Sequence, residues 1–361
     1  MAVGETQGVT DVWIKCGEHE PIEDSSIHTM VVDQDTDQAD MCVLTLNNAT
    51  HAFSNDTRLG DEVEVKIGGS DGKTIFKGEV VGVEPLYKTG GESKCVVRAF
   101  NRLHRLLRGR KSLTYKDKKD SEIAQAIATA NGLSADAEDT GVAHKHVYQH
   151  NQTDLEFLRL IAARNGFELL CEDKTLHFRK PRSDRDSGVE LRINEGSGGV
   201  MLKTFSPRLS SAGLVKEVEV RSWNPDKKEE IVARASASKS SLGSRMAPSE
   251  AQAFGDRITF TVDRPVASVE EATKLAEAKL KDILMDFIVG DGLCIGSPDL
   301  QAGTVVTINV NPDKAEDRFN GKYFVSGASH RYSHSSTGGS EGQGGYVTAF
   351  RVRRDAAGGD K

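Results

Sequence analysis

Three groups of residues have types and spacings that could do chemistry. The first is Gly68-Gly69-Ser70-Asp71-Gly72-Lys73-Thr74, which has the composition of a phosphate-binding loop. Such a loop cradles phosphate in backbone N–H groups and needs four residues between its first glycine and the Gly-Lys pair. Only three separate Gly68 from Gly72. A strand pattern, Thr74 to Val81, follows where a helix N-terminus should hold the anion. The segment therefore reads as a hairpin tip, its glycines and aspartate supplying positive φ angles.

The second group is histidine: His144, His146 and His150, and separately His330 and His334. On a helix, His330 and His334 would share a face as in zinc proteases. That motif needs a glutamate after the first histidine, and Arg331 stands there. The segment also alternates like a strand, where this spacing parts the rings by about 13 Å, too far for one ion. His144 and His146 could share a strand face, but no cysteine or carboxylate is placed to complete a metal site. No metal, cofactor or catalytic residue is assigned.

The third group is cationic. Arg102, Arg105, Arg108, Arg110, Lys111, Lys116, Lys118 and Lys119 face only Asp117 between 102 and 119. Tyr115 is the one aromatic there, so the stacking of a single-strand binder is missing. The stretch reads as a solvated face or as a surface docking on an acidic neighbour, with Arg102, Arg105, Arg108, Arg110 and Lys111 as its candidates. Nucleophile frames such as GxSxG are absent. Asp154 and Glu156 are explained by the first turn of a helix, where carboxylates favour the dipole.

The whole chain limits these options further. It has 361 residues and a net charge of −7, which disfavours general nucleic-acid binding. No apolar run approaches about 18 residues, so membrane insertion is not expected. The N-terminus lacks a basic segment followed by an apolar one, so no secretory signal is expected. Cys16, Cys42, Cys95, Cys171 and Cys294 are odd in number and widely spaced, which suits buried thiols better than disulfides or zinc.

The elements that must position these residues are mostly strands. Val43 to Leu46, Val63 to Ile67, Thr74 to Val81 and Lys94 to Phe100 alternate between Gly/Asp clusters, and a Thr-Gly-Gly turn precedes the last. This is the pattern of a small antiparallel barrel. After Asn101 the character changes. A helix starting at Ser121 carries Ile123, Ala124, Ile127 and Ala128 on one face and ends at Asn131-Gly132. Thr153 and Glu156 form a capping box for a second helix with Leu155, Leu158, Ile161 and Ala162 inward, stopped at Asn165-Gly166. A hairpin follows, Phe167 to Cys171 and Thr175 to Arg179. Residues 181–199 read as a connection, Leu214 to Trp223 as strand, and Ala233 to Glu250 as a long loop or insertion. Ser268 and Glu271 make another capping box for a helix over about 268–287. Four strand pieces close the chain: 304–310, 322–326, 329–332 and 346–352, with a Gly-rich tip at 338–345. The expected fold is α+β, mainly β: a first barrel over 1–105, an α/β insert over 106–200, and a second barrel with an inserted helix over 201–361.

In this order the motifs resemble the late control protein D / VgrG hub family. His146 to Leu169 is similar to its "YNETDxxFLxRLxEExG" signature, matched here by His150, Asn151, Thr153, Asp154, Phe157, Leu158, Leu160 and Gly166; the histidine replaces the family's usual tyrosine. Gly60, with Phe76 and Gly78, resembles the "xxGxxVxV…FxGxV" of its first barrel. Arg102 to Leu107 resembles the Arg/Leu-rich exit from it. Gly303, Gly321, Tyr323 and His330 fit its "LxxGxxVxI…fnGxYxVxxxxH" ending. The resemblance spans nearly the whole chain.

The resemblance implies a structural baseplate hub of a contractile phage tail, bacteriocin or injection system, assembled in the bacterial cytoplasm. Two tail-tube-like barrels per chain would let a homotrimer present six in a ring, adapting a six-fold tube to a three-fold spike. Its partners would be a tail tube or tube-initiator protein, a spike and baseplate wedge proteins, with no cofactor and no specific nucleic-acid binding. About thirty residues follow His330, too few for an OB barrel, so a separate spike chain is expected. Two other functions remain open at this point: a tail-associated cell-wall hydrolase, which would need a cleft of converging carboxylates, and a soluble carbohydrate- or nucleic-acid-binding module using Arg102 to Lys119.

Overall fold

The computed structural model describes residues 11–89, 92–181, 185–193, 199–224, 227–237, 240–250, 258–261, 266–314, 316–334 and 345–358. The first unit holds β1 (Val12–Cys16), β2 (Ile27–Asp35), β3 (Met41–Asn47), the short helix α1 (Ala52–Asp56), β4 (Glu62–Ile67), β5 (Lys73–Leu86) and β6 (Lys94–Phe100). Alternation makes these strands. Val63, Val65 and Ile67 point inward from β4 and Cys95, Val97 and Ala99 from β6, while the charged residues between them face out. The strands pair in the order β1-β4-β5-β6-β3-β2 around one apolar core. The tip between β4 and β5 takes φ angles of 98° at Gly68 and 79° at Gly69, so the glycine-rich segment is a hairpin turn, not a phosphate loop. Gly90 and Gly91, of the expected Thr-Gly-Gly turn, lie outside the described residues.

The second α/β part comprises β7 (Lys111–Lys119), α2 (Asp120–Ala130), β8 (Ser134–Ala137), β9 (Ala143–Gln152), α3 (Asp154–Asn165), β10 (Glu168–Glu172) and β11 (Thr175–Arg179). It has its own core, in which Ile123, Leu155, Leu158, Ile161 and Phe178 meet. β7 and β9 form a two-stranded ribbon, and β10, β11 and β8 a three-stranded sheet.

The rest of the chain holds β12 (Asp186–Arg192), β13 (Val200–Leu209), β14 (Glu217–Asn224), β15 (Glu229–Ser236), β16 (Arg245–Met246), α4 (Ala247–Glu250), β17 (Ile258–Thr261), α5 (Val269–Met285), β18 (Ile288–Ile295), β19 (Val305–Asn309), β20 (Gly321–Ser333), β21 (Gly345–Arg354) and β22 (Ala356–Ala357). The order β20-β19-β12-β13-β18-β21, with β21 pairing back to β20, closes a six-stranded barrel. The chain is thus mainly β with a few helices, as the sequence indicates. β12 runs parallel to both its neighbours, the exception in an otherwise antiparallel ring. It lies before residue 200, so the segment expected as a connection contributes a barrel stave.

β20 joins the two β units. Thr29 to Asp35 of β2 pair with Ser333 to Gly327. Tyr332 and Tyr346, at the ends of β20 and β21, are buried in the first core. Two expected strands, 322–326 and 329–332, are one. A bulge between Val325 and Gly327 bends the strand without ending it, which breaks the alternation that a sequence reading relies on. Ala233 to Glu250 is not a long loop: Ala233 and Ala235 face inward from β15, and β16 with α4 follows. Small side chains there pack against α5, so the Ala-rich composition marks close packing. Ser268 accepts from the Glu271 N–H at 3.1 Å, but Glu271 reaches back to Ala267 instead of completing a box with Ser268. The Gly-rich tip lies outside the described residues apart from Gly345.

Candidate functional site

Where β6 ends, Asn101 turns the chain. Its side chain accepts from the Leu103 N–H at 3.2 Å and donates to Asp40 at 2.9 Å. The following 3-10 turn, Arg102–Leu107, buries the Arg102 guanidinium and sets a half-buried Arg105 beside it. Arg102 is 2% exposed and donates to Glu79 at 3.1 Å, to Glu62 at 2.7 Å and to Asp173. Arg105 grips Glu79 through two nitrogens, one at 3.1 Å, and the Asn131 carbonyl at 3.3 Å. Burial pushes the Glu79 carboxyl up. The Arg105 hydrogen bonds and the charges of Arg105, Arg102 and His104 outweigh it and hold the group below the usual carboxylate range.

Arg108, Arg110 and Lys111 of the cationic run are also engaged. Arg108 approaches His104 at 3.4 Å, and Arg110 donates to the Asn151 carbonyl at 2.7 Å and to Glu156 at 2.8 Å. Lys111 donates to Asp154 at 2.6 Å. The acidic neighbour of this basic stretch is therefore the chain itself. Arg102 in particular is not a surface residue, and with Arg105 it binds the first β unit to the α/β part.

The signature segment is a local device that sets α3 at this junction. Asn151 takes φ 45°, one residue before the end of β9. Thr153 accepts from the Glu156 N–H at 3.1 Å and Glu156 accepts from the Thr153 N–H at 3.0 Å, the reciprocal box. Asp154 is buried and receives Lys111, Asn131 at 3.0 Å and Gln149 at 3.1 Å. Burial opposes its charge, but these bonds prevail and lower its pKa. Phe157 and Leu158 are buried beneath it. Gly166 ends the helix at φ 65°, and a Cβ there would stand 3.0 Å from Ala278 on α5. No L side chain fits both demands comfortably.

The other signature residues are spread through the β units. Gly60 sits in the turn before β4 and Phe76 is buried in the first core. A Cβ on Gly78 would lie 2.3 Å from the Phe100 carbonyl oxygen. Gly303 precedes β19 and Gly321 opens β20, both with positive φ. Tyr323 is fully buried, donates to the Phe319 carbonyl at 2.8 Å and underlies the Arg354 guanidinium at 4.9 Å. These residues are not brought together; each secures a separate joint.

The histidines resolve individually. His144 lies 3.6 Å from both Asp120 and Glu271, linking α2 to α5. His146 and His150 flank Tyr148 on β9, with ring centroids 6.5 and 5.5 Å away. His330 is buried and bonds Tyr346 at 2.6 Å; burial lowers its pKa to about 4. Among the described residues no group of three His, Cys, Asp or Glu could hold a metal ion. All five cysteines are buried, and burial raises each thiol, Cys16 to about 11 and Cys171 and Cys294 to about 12.

A cleft of about 610 Å³ opens where β2, β5 and the β10–β11 hairpin meet. It contains carboxylates, but each is tied: Asp35 to Arg351, Glu172 to Arg185 at 2.8 Å, Asp173 to Arg102. Asp40 accepts from Asn101 and from the Asp35 N–H at 3.3 Å, and its burial drives it up to about 7. Sequence reasoning missed three exposed aromatics, Tyr87 just after β5, Tyr148 on β9 and Trp223 on β14. For Tyr148 the signal was the period-two pattern of rings from His146 to His150.

The profile of one family, described as the Alg8 N-terminal domain, matches residues 7–334. The chain belongs to the Alg8 N-terminal domain family. That description differs from the one the motifs suggested. Comparison by sequence with curated proteins gives no match. Among solved structures, the 43 kDa tail protein of prophage MuSo2 from Shewanella oneidensis is similar at TM-score 0.68 and 15% identity, over 96% of this chain and 99% of that one. The tail protein from Neisseria meningitidis MC58 is similar at TM-score 0.68 and 15% identity, over 96% and 97%. The Escherichia coli c3393 protein, described as a component of the type VI secretion system, follows at TM-score 0.60 and 12% identity, over 94% and 76%. This member of the Alg8 N-terminal domain family thus has the fold of phage-tail and injection-system proteins.

Proposed function

We propose that this chain is a structural hub of a contractile tail or injection particle, of the late control protein D / VgrG type. It acts as a homotrimeric ring between a six-fold tube and a three-fold spike. The observation that carries this reading is the fold: two β units joined through β2 and β20 with an α/β part between them, similar over nearly its whole length to phage tail proteins. Two tube-like units per chain make six positions in a ring of three, which is the match a tube of six subunits needs.

In this role the units are read as residues 1–105, 106–200 and 201–361, with β12 at the end of the middle stretch completing the second barrel, and the partners are a tube or tube-initiator protein, a spike and baseplate wedge proteins. The particle's baseplate is the site of action, reached by assembly in the bacterial cytoplasm. The signature glycines and buried residues serve as joints, and the chain acts without catalysis. Three of the four cleft carboxylates, Asp35, Glu172 and Asp173, are paired with in-chain cations, which supports this over a hydrolase, whose acid and base must reach substrate. Imaging the assembled particle along its axis tests the reading. Three copies in one ring at the tube–spike junction are expected; absence from the particle, or six copies, would overturn it.

A further inference from the structure

The cleft between β2, β5 and the β10–β11 hairpin, at about 610 Å³, lies within the size range of ligand sites, about 300–1,000 Å³. Its charges cancel in pairs, with one exception. On β2, Asp35 is bound by Arg351. On the hairpin, Glu172 is bound by Arg185 at 2.8 Å and Asp173 by Arg102. The cations of the wall are committed in the same way. Lys73 pairs with Asp299 at 3.4 Å and Lys77 with Glu64 at 3.3 Å, and His177 faces Asp136 at 2.8 Å.

Asp40, just before β3, is the exception. Its carboxylate accepts from two uncharged donors, the Asn101 side chain at 2.9 Å and the Asp35 backbone N–H at 3.3 Å. Among the described residues no cation pairs with it, and part of its surface stays open to the cleft. Burial, and after it the negative charges of Asp35 and Glu172, push its carboxyl up to about 7 against those two hydrogen bonds. The Cys171 thiol in the same wall is raised to about 12 and stays neutral. What would hold Asp40 ionised is therefore a single positive charge brought in from outside the chain.

The rest of the wall narrows the kind of cation. Among the described residues no three ligating groups are placed to hold a metal ion, so a bare divalent ion does not fit. Leu170 and Ala302, both partly exposed, line the cleft and offer apolar surface. A charged head on a long aliphatic stem uses both features at once, which describes arginine and lysine.

We propose that the cleft between β2, β5 and the β10–β11 hairpin is a binding site for one basic side chain, arginine or lysine, of a partner polypeptide, with Asp40 as its counter-ion. The site goes beyond the hub reading and does not depend on it.

Titration of the 361-residue chain with N-acetyl-arginine amide, followed by NMR between about pH 5 and about pH 8, tests the site. Binding requires ionised Asp40, so affinity should rise about tenfold per pH unit up to about 7 and level off above it. The citrulline counterpart, equal in size and uncharged, should bind at least about tenfold more weakly at the alkaline end and without the slope. Asp40→Asn should bring the arginine probe down to the citrulline level at every pH. The slope and the citrulline comparison use wild type alone, so they stand whether or not the variant folds. Equal binding of the two probes, a pH-independent affinity, a slope that survives in Asp40→Asn, or no binding at any pH would each overturn the site. None of these outcomes touches the ring of three chains.

Discussion

Arg102 and Glu79 meet 3.1 Å apart at the junction of the first β unit and the α/β part. One buried guanidinium there gathers carboxylates from β4, β5 and the turn between β10 and β11. Its planar fork suits several carboxylates at once, which a lysine cannot reproduce. Removing it leaves the half-buried Glu79 with Arg105 and His104, and frees Glu62 and Asp173, which are half exposed. Arg102→Met should therefore cost about 3 kcal/mol, and Arg102→Lys should rescue little of it. Urea unfolding measures both; a loss under about 0.5 kcal/mol would contradict the assigned role.

The α3 cap gives a more local expectation. Thr153→Ala removes one acceptor of the reciprocal box and should cost about 1 kcal/mol. Thr153→Ser keeps the hydroxyl and should cost a few tenths. Thermal melting of the two variants separates the cap from any effect of losing a methyl group.

Gly78 tests close packing between β5 and β6. A methyl group there meets the Phe100 carbonyl at 2.3 Å, so strand separation must grow locally. Gly78→Ala should destabilise by about 2 kcal/mol. An unchanged denaturation midpoint would show that the strands part freely.

Asp40 makes stability depend on pH. Its carboxyl is raised to about 7 in the folded chain, against about 3.9 for an unfolded aspartate. The folded state therefore holds the proton more tightly. The contribution is complete below about pH 4 and is lost as pH rises through 7. His330 works the other way. Its pKa is lowered to about 4, so it takes stability away as pH falls from about 6.5 towards 4. The difference between wild type and Asp40→Asn isolates the first effect. Relative to the variant, wild type should lose stability steadily from pH 4 to 7.5; parallel profiles would contradict the assignment.

Local features were legible in the sequence and distant ones were not. The Thr153–Glu156 box, the Gly166 stop and the Gly68–Gly69 turn depend on neighbours within a few residues, and each formed where the residue types placed it. The burial of Arg102 depends on partners 23, 40 and 71 residues away, so its charge alone suggested a surface. The bulge at Gly327 split one strand into two in the pattern, and the small inward residues of β15 resembled a loop. The pairing of β2 with β20, which unites the β units, leaves no mark on either strand beyond alternation. The aromatic row on β9 was visible as spacing, but its exposure was not.

The central claim is a closed ring of three identical chains. Native mass spectrometry of the 361-residue chain, alone and with a tube or spike partner, tests it most directly. The account expects a dominant species of three 39.2 kDa chains. A single chain of 39.2 kDa at every concentration and with every partner would contradict it.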